Sequence, residues 1–241
     1  MAQVQPDSRP QPGIGIAAAV WAGAIAASVV CFQIVVAATG HSGEDIDSLP
    51  FSIFPISSML SLWLPTLLLL WLLSRRRLSG SLVSDFGLRF RWIDLLGIPI
   101  GIASQLLVLR VVYWPLSRWF PETFSRDDIE RAARDLTERA DGAWRVALVL
   151  AVVVGAPLIE ELLYRGLILP SLSRAMSAPL AVLVGALWFA AAHMQAVQFL
   201  GLAVFGAVLG ACWVRTQRLG MGVLAHAAFN ATSVVILWPR T

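Results

Sequence analysis

Ile159-Glu160-Glu161-Leu162-Leu163-Tyr164-Arg165-Gly166 places two carboxylates and a guanidinium inside an otherwise apolar run. A charged side chain at the centre of a membrane helix costs roughly 2.5 to 3.5 kcal/mol on insertion scales, so these residues require partners, water or a chemical task. On a helix, Glu161 and Arg165 are i and i+4 and share a face, whereas Glu160 lies about 100° round the axis. Glu161 and Arg165 can therefore neutralise one another. Glu160 remains a carboxylate without a local counter-charge, free to point into a bundle as a general base or acid. An ion-paired helix end at the membrane interface accounts for the same three charges without any chemistry.

Outward from this stretch the chain is strongly apolar. With 58% hydrophobic and 14% charged residues over 241 positions, it carries too much apolar surface for a soluble domain. Several apolar runs exceed the roughly 18 residues that mark a membrane-spanning helix, and none alternates as barrel strands do. The expected fold is all-α: a polytopic transmembrane helical bundle of about seven spans with one amphipathic interfacial helix. The spans are placed at 13–39, 51–73, 93–114, 145–172, 179–198, 199–214 and 221–238, the fourth interrupted by Pro157. The polar, Pro-rich residues 1–12 read as a disordered tail. The apolar run after them is longer than the core of a cleaved signal peptide.

All 18 basic residues are Arg. Arg75, Arg76, Arg77, Arg89 and Arg91 against Asp85 place segment 74–92 in the cytoplasm, and alternation puts Arg174, Arg215 and Arg218 on the same side. The N-terminus is then cytoplasmic, and the expected location is a bacterial inner (plasma) membrane. Such clusters read as topology signals, so no nucleic-acid partner is expected; the partner is the lipid bilayer. Cys31 and Cys212 both fall within apolar spans, which argues against a disulfide.

Segment 116–143 repeats Ile129, Ala132, Ala133, Leu136 and Ala140 at helical spacing among charges, as an amphipathic helix does. Ser125 with Asp128 forms a helix-start signal and Asp141-Gly142 a helix-end signal. A helix lying on the bilayer and a lid over an embedded site are both compatible with this pattern.

Two of the three histidines, His193 and His226, lie in apolar runs after Glu160, and Asn230, the sole asparagine, follows His226 by one helical turn. A membrane histidine is also an ordinary interhelical contact, and Asn230-Ala231-Thr232 also fits a glycosylation acceptor, against which its position in a span argues. Measured from the Arg-bearing ends of the spans, Glu160 lies ~18 Å deep, His193 ~21 Å, His226 ~8 Å and Asn230 ~14 Å. One site in the inner half of the bilayer, open to the cytoplasm, accommodates all four.

Glu160-Glu161-x-x-x-Arg165, then Phe189-x-x-x-His193, then His226-x-x-x-Asn230 resemble, in order and on successive membrane helices, the three motifs of the CAAX protease and bacteriocin-processing (CPBP) family, type II CAAX prenyl endopeptidase-like. Asp85-Phe86-Gly87-Leu88-Arg89 resembles a further feature of bacterial members. The resemblance covers a protease-like core 85–238, which with the polar tail 1–12 and the N-terminal transmembrane helices 13–84 divides the chain in three. It implies an intramembrane glutamate endopeptidase acting on membrane-associated, including prenylated, peptides or proteins. In that scheme Glu160 activates water with His193, His226 and Asn230 stabilise the oxyanion, and Glu161, Arg165 and Phe189 support them. No cofactor is implied. Two His and one carboxylate also meet the count for a catalytic zinc, with Glu160, His193 and His226 as ligands. A non-enzymatic bacteriocin-immunity or membrane adaptor protein, and a proton-coupled transporter, are the remaining alternatives.

Overall fold

The structure, a computed structural model, describes residues 12–50 and 54–238. The expected N-terminal tail thus lies almost wholly outside the described residues. Among those residues there is no strand, and six helices are long and apolar enough to cross a membrane. They are α1 (Ile14–Ala38), α2 (Phe54–Arg77), α3 (Trp92–Trp119), α5 (Gly142–Ser173), α7 (Phe199–Thr216) and α8 (Gly220–Leu237). Between them stand the amphipathic α4 (Arg126–Arg139) and the short apolar α6 (Ala178–Ala192).

Helix α6 corrects the expectation of seven full spans. Instead of running through 179–198, it stops after 15 residues at His193, about 22 Å at 1.5 Å per residue. The following turn contains Met194 at φ 55°, a left-handed conformation that reverses the chain without glycine. Because nothing in 193–198 resembles a turn signal, the sequence alone carried the helix too far.

Helix α5 is the axis of the bundle. Its residues 161–172 are all buried, and Leu162, Leu163, Leu167 and Leu169 pack with Leu70, Phe86, Phe189 and Trp213 from the surrounding elements. Val29, Ile34, Leu64, Leu107, Val111, Val146 and Val235 are exposed, forming the apolar coat that lipid covers. The expected interruption at Pro157 takes the form of two π-helical stretches, Ala151–Gly155 and Leu162–Ile168, on either side of a short α-helical piece. Each wider turn rotates the residues beyond it, and such bulges recur at functional sites.

Helices α3 and α8 meet almost backbone to backbone. A Cβ on Gly101 would collide with the Ala225 carbonyl, so only glycine permits this approach. Neighbouring His226 is directed away from α3 and buried towards α5.

Two opposite ends of the bundle are tied differently. At the Arg-bearing end, Asp94 takes a two-pronged contact from Arg218 (2.8 and 2.9 Å) and the Arg91 N–H, while Leu219 N–H donates to Gly87 O at 2.9 Å. Beside them, burial alone would raise the Asp85 carboxyl. Hydrogen bonds from the Ser74 and Ser79 hydroxyls and the Ser79 and Gly80 N–H groups outweigh it and hold the carboxyl below its usual range. At the other end, α4 starts as expected with Ser125 accepting from Asp128 N–H at 3.1 Å. This helix is held down by Thr137 donating to Leu237 O, Arg139 to Leu49 O and Gln198 to Ile129 O.

Candidate active site

The two glutamates of the opening stretch occupy different surroundings. Glu161 is fully buried: its Oε1 receives Arg165 Nη1 at 2.8 Å and His226 Nδ1 at 3.1 Å. Arg165 is anchored further by donating to Gly206 O at 3.0 Å, and its guanidinium lies 4.6 Å from the Phe189 ring centroid. The guanidinium is thus held by a carboxylate, a carbonyl and an aromatic face, the partners a buried cation needs.

Glu160 is 23% exposed and lines a cavity. Its Oε2 lies 4.0 Å from His193 Nε2 and 3.8 Å from His226 Nε2, and has no hydrogen-bond partner. These separations exceed a hydrogen bond and match groups that share an intervening small molecule.

Local bonds fix both imidazoles. His193 Nδ1 is 2.8 Å from Phe189 O; a carbonyl only accepts, so Nδ1 carries hydrogen and, in the neutral ring, Nε2 is an acceptor facing Glu160. His226 Nδ1 donates to the ion-paired Glu161 carboxylate, which leaves its Nε2 turned towards Glu160 as well. Phe189 and Phe205 stand edge-on to the rings, with centroids 4.6 Å from His193 and 5.4 Å from His226 respectively.

Asn230 donates from Nδ2 to Val152 O at 2.8 Å. Val152 lies in the first π-helical stretch, and Pro157, five residues on, has no N–H for a carbonyl in that register. The proline thus leaves an acceptor for Asn230, which couples α8 to α5 and sets the asparagine at the cavity wall.

The cavity has a volume of 290 Å³ and holds Glu160, His193, His226 and Asn230 at one end. Its other wall includes Ala133, Leu136 and Thr137 of α4 and Leu237 of α8. It therefore extends towards the α4 end of the bundle. Span depths place the opening on the Arg-bearing side instead; they do not register α4, which the sequence allows as a lid and which here forms part of the wall at the opposite end.

All seven residues singled out from the sequence fall in or directly behind this cluster. Sequence reasoning missed the second bond of Glu161, to His226, and the carbonyls of Gly206 and Val152, since a carbonyl's role leaves no mark on residue type. Phe205 and Gln195, also in the cavity wall, carried no signal beyond belonging to apolar runs.

Tested as zinc ligands, Glu160, His193 and His226 fit incompletely. Tetrahedral zinc with bonds of about 2.0 to 2.1 Å brings ligand atoms to about 3.4 Å from one another, closer than the 3.8 and 4.0 Å found here. Among the described residues no group of three or more His, Cys, Asp or Glu is arranged to hold a metal ion.

The chain is thus a polytopic helical membrane protein whose bundle holds a cavity that gathers a partly exposed carboxylate and two oriented imidazoles. Residues 142–232, which carry all three motifs, match the family model described as type II CAAX prenyl endopeptidase Rce1-like. Over this stretch, less than half of the chain, the protein is similar to the Rce1-like CAAX protease family. No curated protein and no solved structure matches the chain.

Proposed function

We propose that the protein is an intramembrane endopeptidase that hydrolyses peptide bonds of membrane-associated substrates with water activated by Glu160 and His193. The observation that carries this reading is the convergence of Glu160 Oε2 and the two Nε2 atoms within 4.0 Å, with both Nδ1 atoms already committed. Glu160 Oε2 and His193 Nε2 are two acceptors facing one space, which suits a water donating both of its O–H groups. The water oxygen then bonds to the scissile carbonyl carbon while its proton passes to Glu160. The C–N bond breaks, and the amine leaves with that proton.

Negative charge develops on the carbonyl oxygen, and His226 with Asn230 supplies the donors. Asn230 Nδ2 has a second hydrogen beyond the one given to Val152. With His226 Nδ1–H committed to Glu161, donation from Nε2 requires the doubly protonated ring, flanked by Glu160 and Glu161. Glu161 and Arg165 are positioning residues that hold His226.

The zinc reading keeps one observation in its favour: metal-bound histidines also engage their second nitrogen with a carbonyl or carboxylate, as both do here. Chelator treatment of the purified protein separates the two readings. Activity is expected to persist; loss on chelation with recovery on adding zinc overturns the metal-free scheme. An adaptor or immunity role predicts instead that Glu160→Ala and His193→Ala leave the cellular phenotype intact, and a transporter predicts solute uptake into proteoliposomes.

Substrates are read as membrane peptides or membrane proteins, prenylated ones included, because the cavity is largely apolar. Comparing membrane peptides in cells carrying Glu160→Ala with those in wild type identifies them: uncut substrates accumulate in the variant, and indistinguishable profiles contradict the reading. The Arg-bearing end is assigned to the cytoplasm of a bacterial inner membrane, with the N-terminus inside. In a background without Cys31 and Cys212, Glu122→Cys in intact cells reacts with an impermeant maleimide and Ser79→Cys does not; the reverse pattern inverts the orientation.

A further inference from the structure

Most polar groups of the cavity divide by task; Ser233 and Gln195 remain, and of these the Gln195 side chain carries a buried, unpaired acceptor. Glu160 and His193 face the attacking water, and His226 and Asn230 supply donors for the carbonyl oxygen. Thr137 and Gln198 are engaged with main-chain carbonyls of Leu237 and Ile129. Gln195 also lines the cavity, and its Oε1 is buried without a hydrogen-bond partner. A buried amide oxygen left unpaired costs free energy, and where it borders a cavity a ligand donor can complete the bond.

The chain is bent to place it there. Helix α6 ends at His193, and Met194 in the left-handed region turns the backbone so that the Met194 side chain is 89% exposed while Gln195 enters the cavity wall. The two glutamines of the turn therefore differ in role: Gln198 clasps α4, and Gln195 faces the reaction chamber.

We propose that Gln195 is a substrate-positioning residue whose side-chain oxygen accepts a main-chain N–H of the bound peptide, next to the scissile bond. Main-chain N–H groups are the donors that every peptide presents whatever its side chains. Such a clamp holds an extended backbone in register with Glu160 and His193 while leaving side-chain choice to the apolar walls. This inference rests on the endopeptidase reading above.

The test uses the full-length protein in detergent micelles and internally quenched apolar decapeptides. Gln195→Met removes the acceptor at similar volume, and Gln195→Glu retains an oxygen there. Gln195→Met is expected to raise KM about tenfold with kcat changed less than threefold, and Gln195→Glu to recover most of the loss. In a parallel series, each amide N–H near the scissile bond is replaced in turn by an ester oxygen. One position is expected to weaken wild type about tenfold and to have no further effect in Gln195→Met. An unchanged KM in a folded Gln195→Met protein, or an ester series that affects wild type nowhere, overturns the clamp. Should Gln195→Met not fold, Gln195→Ala takes its place in the ester series, and an ester series without effect on wild type overturns the clamp by itself. Failure of wild type to cleave any peptide, with Glu160→Gln indistinguishable from it, removes the endopeptidase reading and the clamp together; cleavage abolished by Glu160→Gln without coupling to Gln195 removes the clamp alone.

Discussion

The acidic groups at the Arg-bearing end of the bundle and those at its centre differ in where they sit and in what is left over. Asp94 is wholly buried, with both oxygens occupied by Arg218 and the Arg91 N–H, and both Asp85 oxygens are held by Ser74 and Ser79. At the centre, Glu161 Oε1 is occupied by Arg165 and His226 and its Oε2 is buried away from the cavity wall without a partner, whereas Glu160 Oε2, likewise without a hydrogen bond, belongs to a residue of the cavity wall and has two imidazole nitrogens near it. The carboxylates read as structural are held by internal donors and lie away from the cavity. The carboxylate proposed to work has an unpaired oxygen and borders the cavity.

That contrast can be broken at several points. At the centre, Asn230→Ala removes a proposed oxyanion donor, and kcat is expected to fall about 10²- to 10³-fold. Steady-state kinetics on a cleaved peptide checks this, and a kcat within threefold of wild type contradicts the assignment. At the saturated end, Asp94→Ala takes the carboxylate from the partly exposed Arg218 guanidinium and the acceptor from the Arg91 N–H, and is expected to cost about 2 kcal/mol of stability. The midpoint of thermal unfolding in detergent should drop while kcat of the folded fraction stays within threefold; a specific loss of kcat would mean that this end is not merely structural.

The smallest effect concerns pH. Because the Asp85 carboxyl sits below its usual range in the folded protein, its hydrogen bonds contribute stability above the pKa of an unfolded aspartate. That contribution disappears as pH falls through the depressed folded-state value. Unfolding midpoints of wild type and Asp85→Asn are therefore expected to converge on acidification; a gap that stays constant between neutral and strongly acid pH contradicts this account.

The sequence made the central division legible because it depends on helical angle alone. Glu161 and Arg165 at i and i+4 predict the pair found at 2.8 Å, and Glu160 is left over by the same geometry. Depth along straight spans was less informative: it separated His226 from His193 by ~13 Å, whereas their Nε2 atoms both approach Glu160 within 4.0 Å. What straight helices cannot show is the premature end of α6 at His193, the two π-helical stretches of α5 and the glycine-mediated approach of α3 to α8. Each depends on contacts between distant segments. The Met194 turn contains neither glycine nor proline, and the carbonyls of Val152 and Gly206 act through backbone that every residue shares. The amphipathic α4 was readable from its periodicity and cap, but its place in the cavity wall was not.

The central claim is that Glu160 does the chemistry while Glu161 holds the framework. Its most direct test is the rate of peptide cleavage by purified Glu160→Gln protein, measured alongside its thermal midpoint. The expected result is a loss of about 10³-fold or more in kcat with a midpoint unchanged from wild type. Retention of more than a tenth of wild-type activity by a folded Glu160→Gln protein would contradict it.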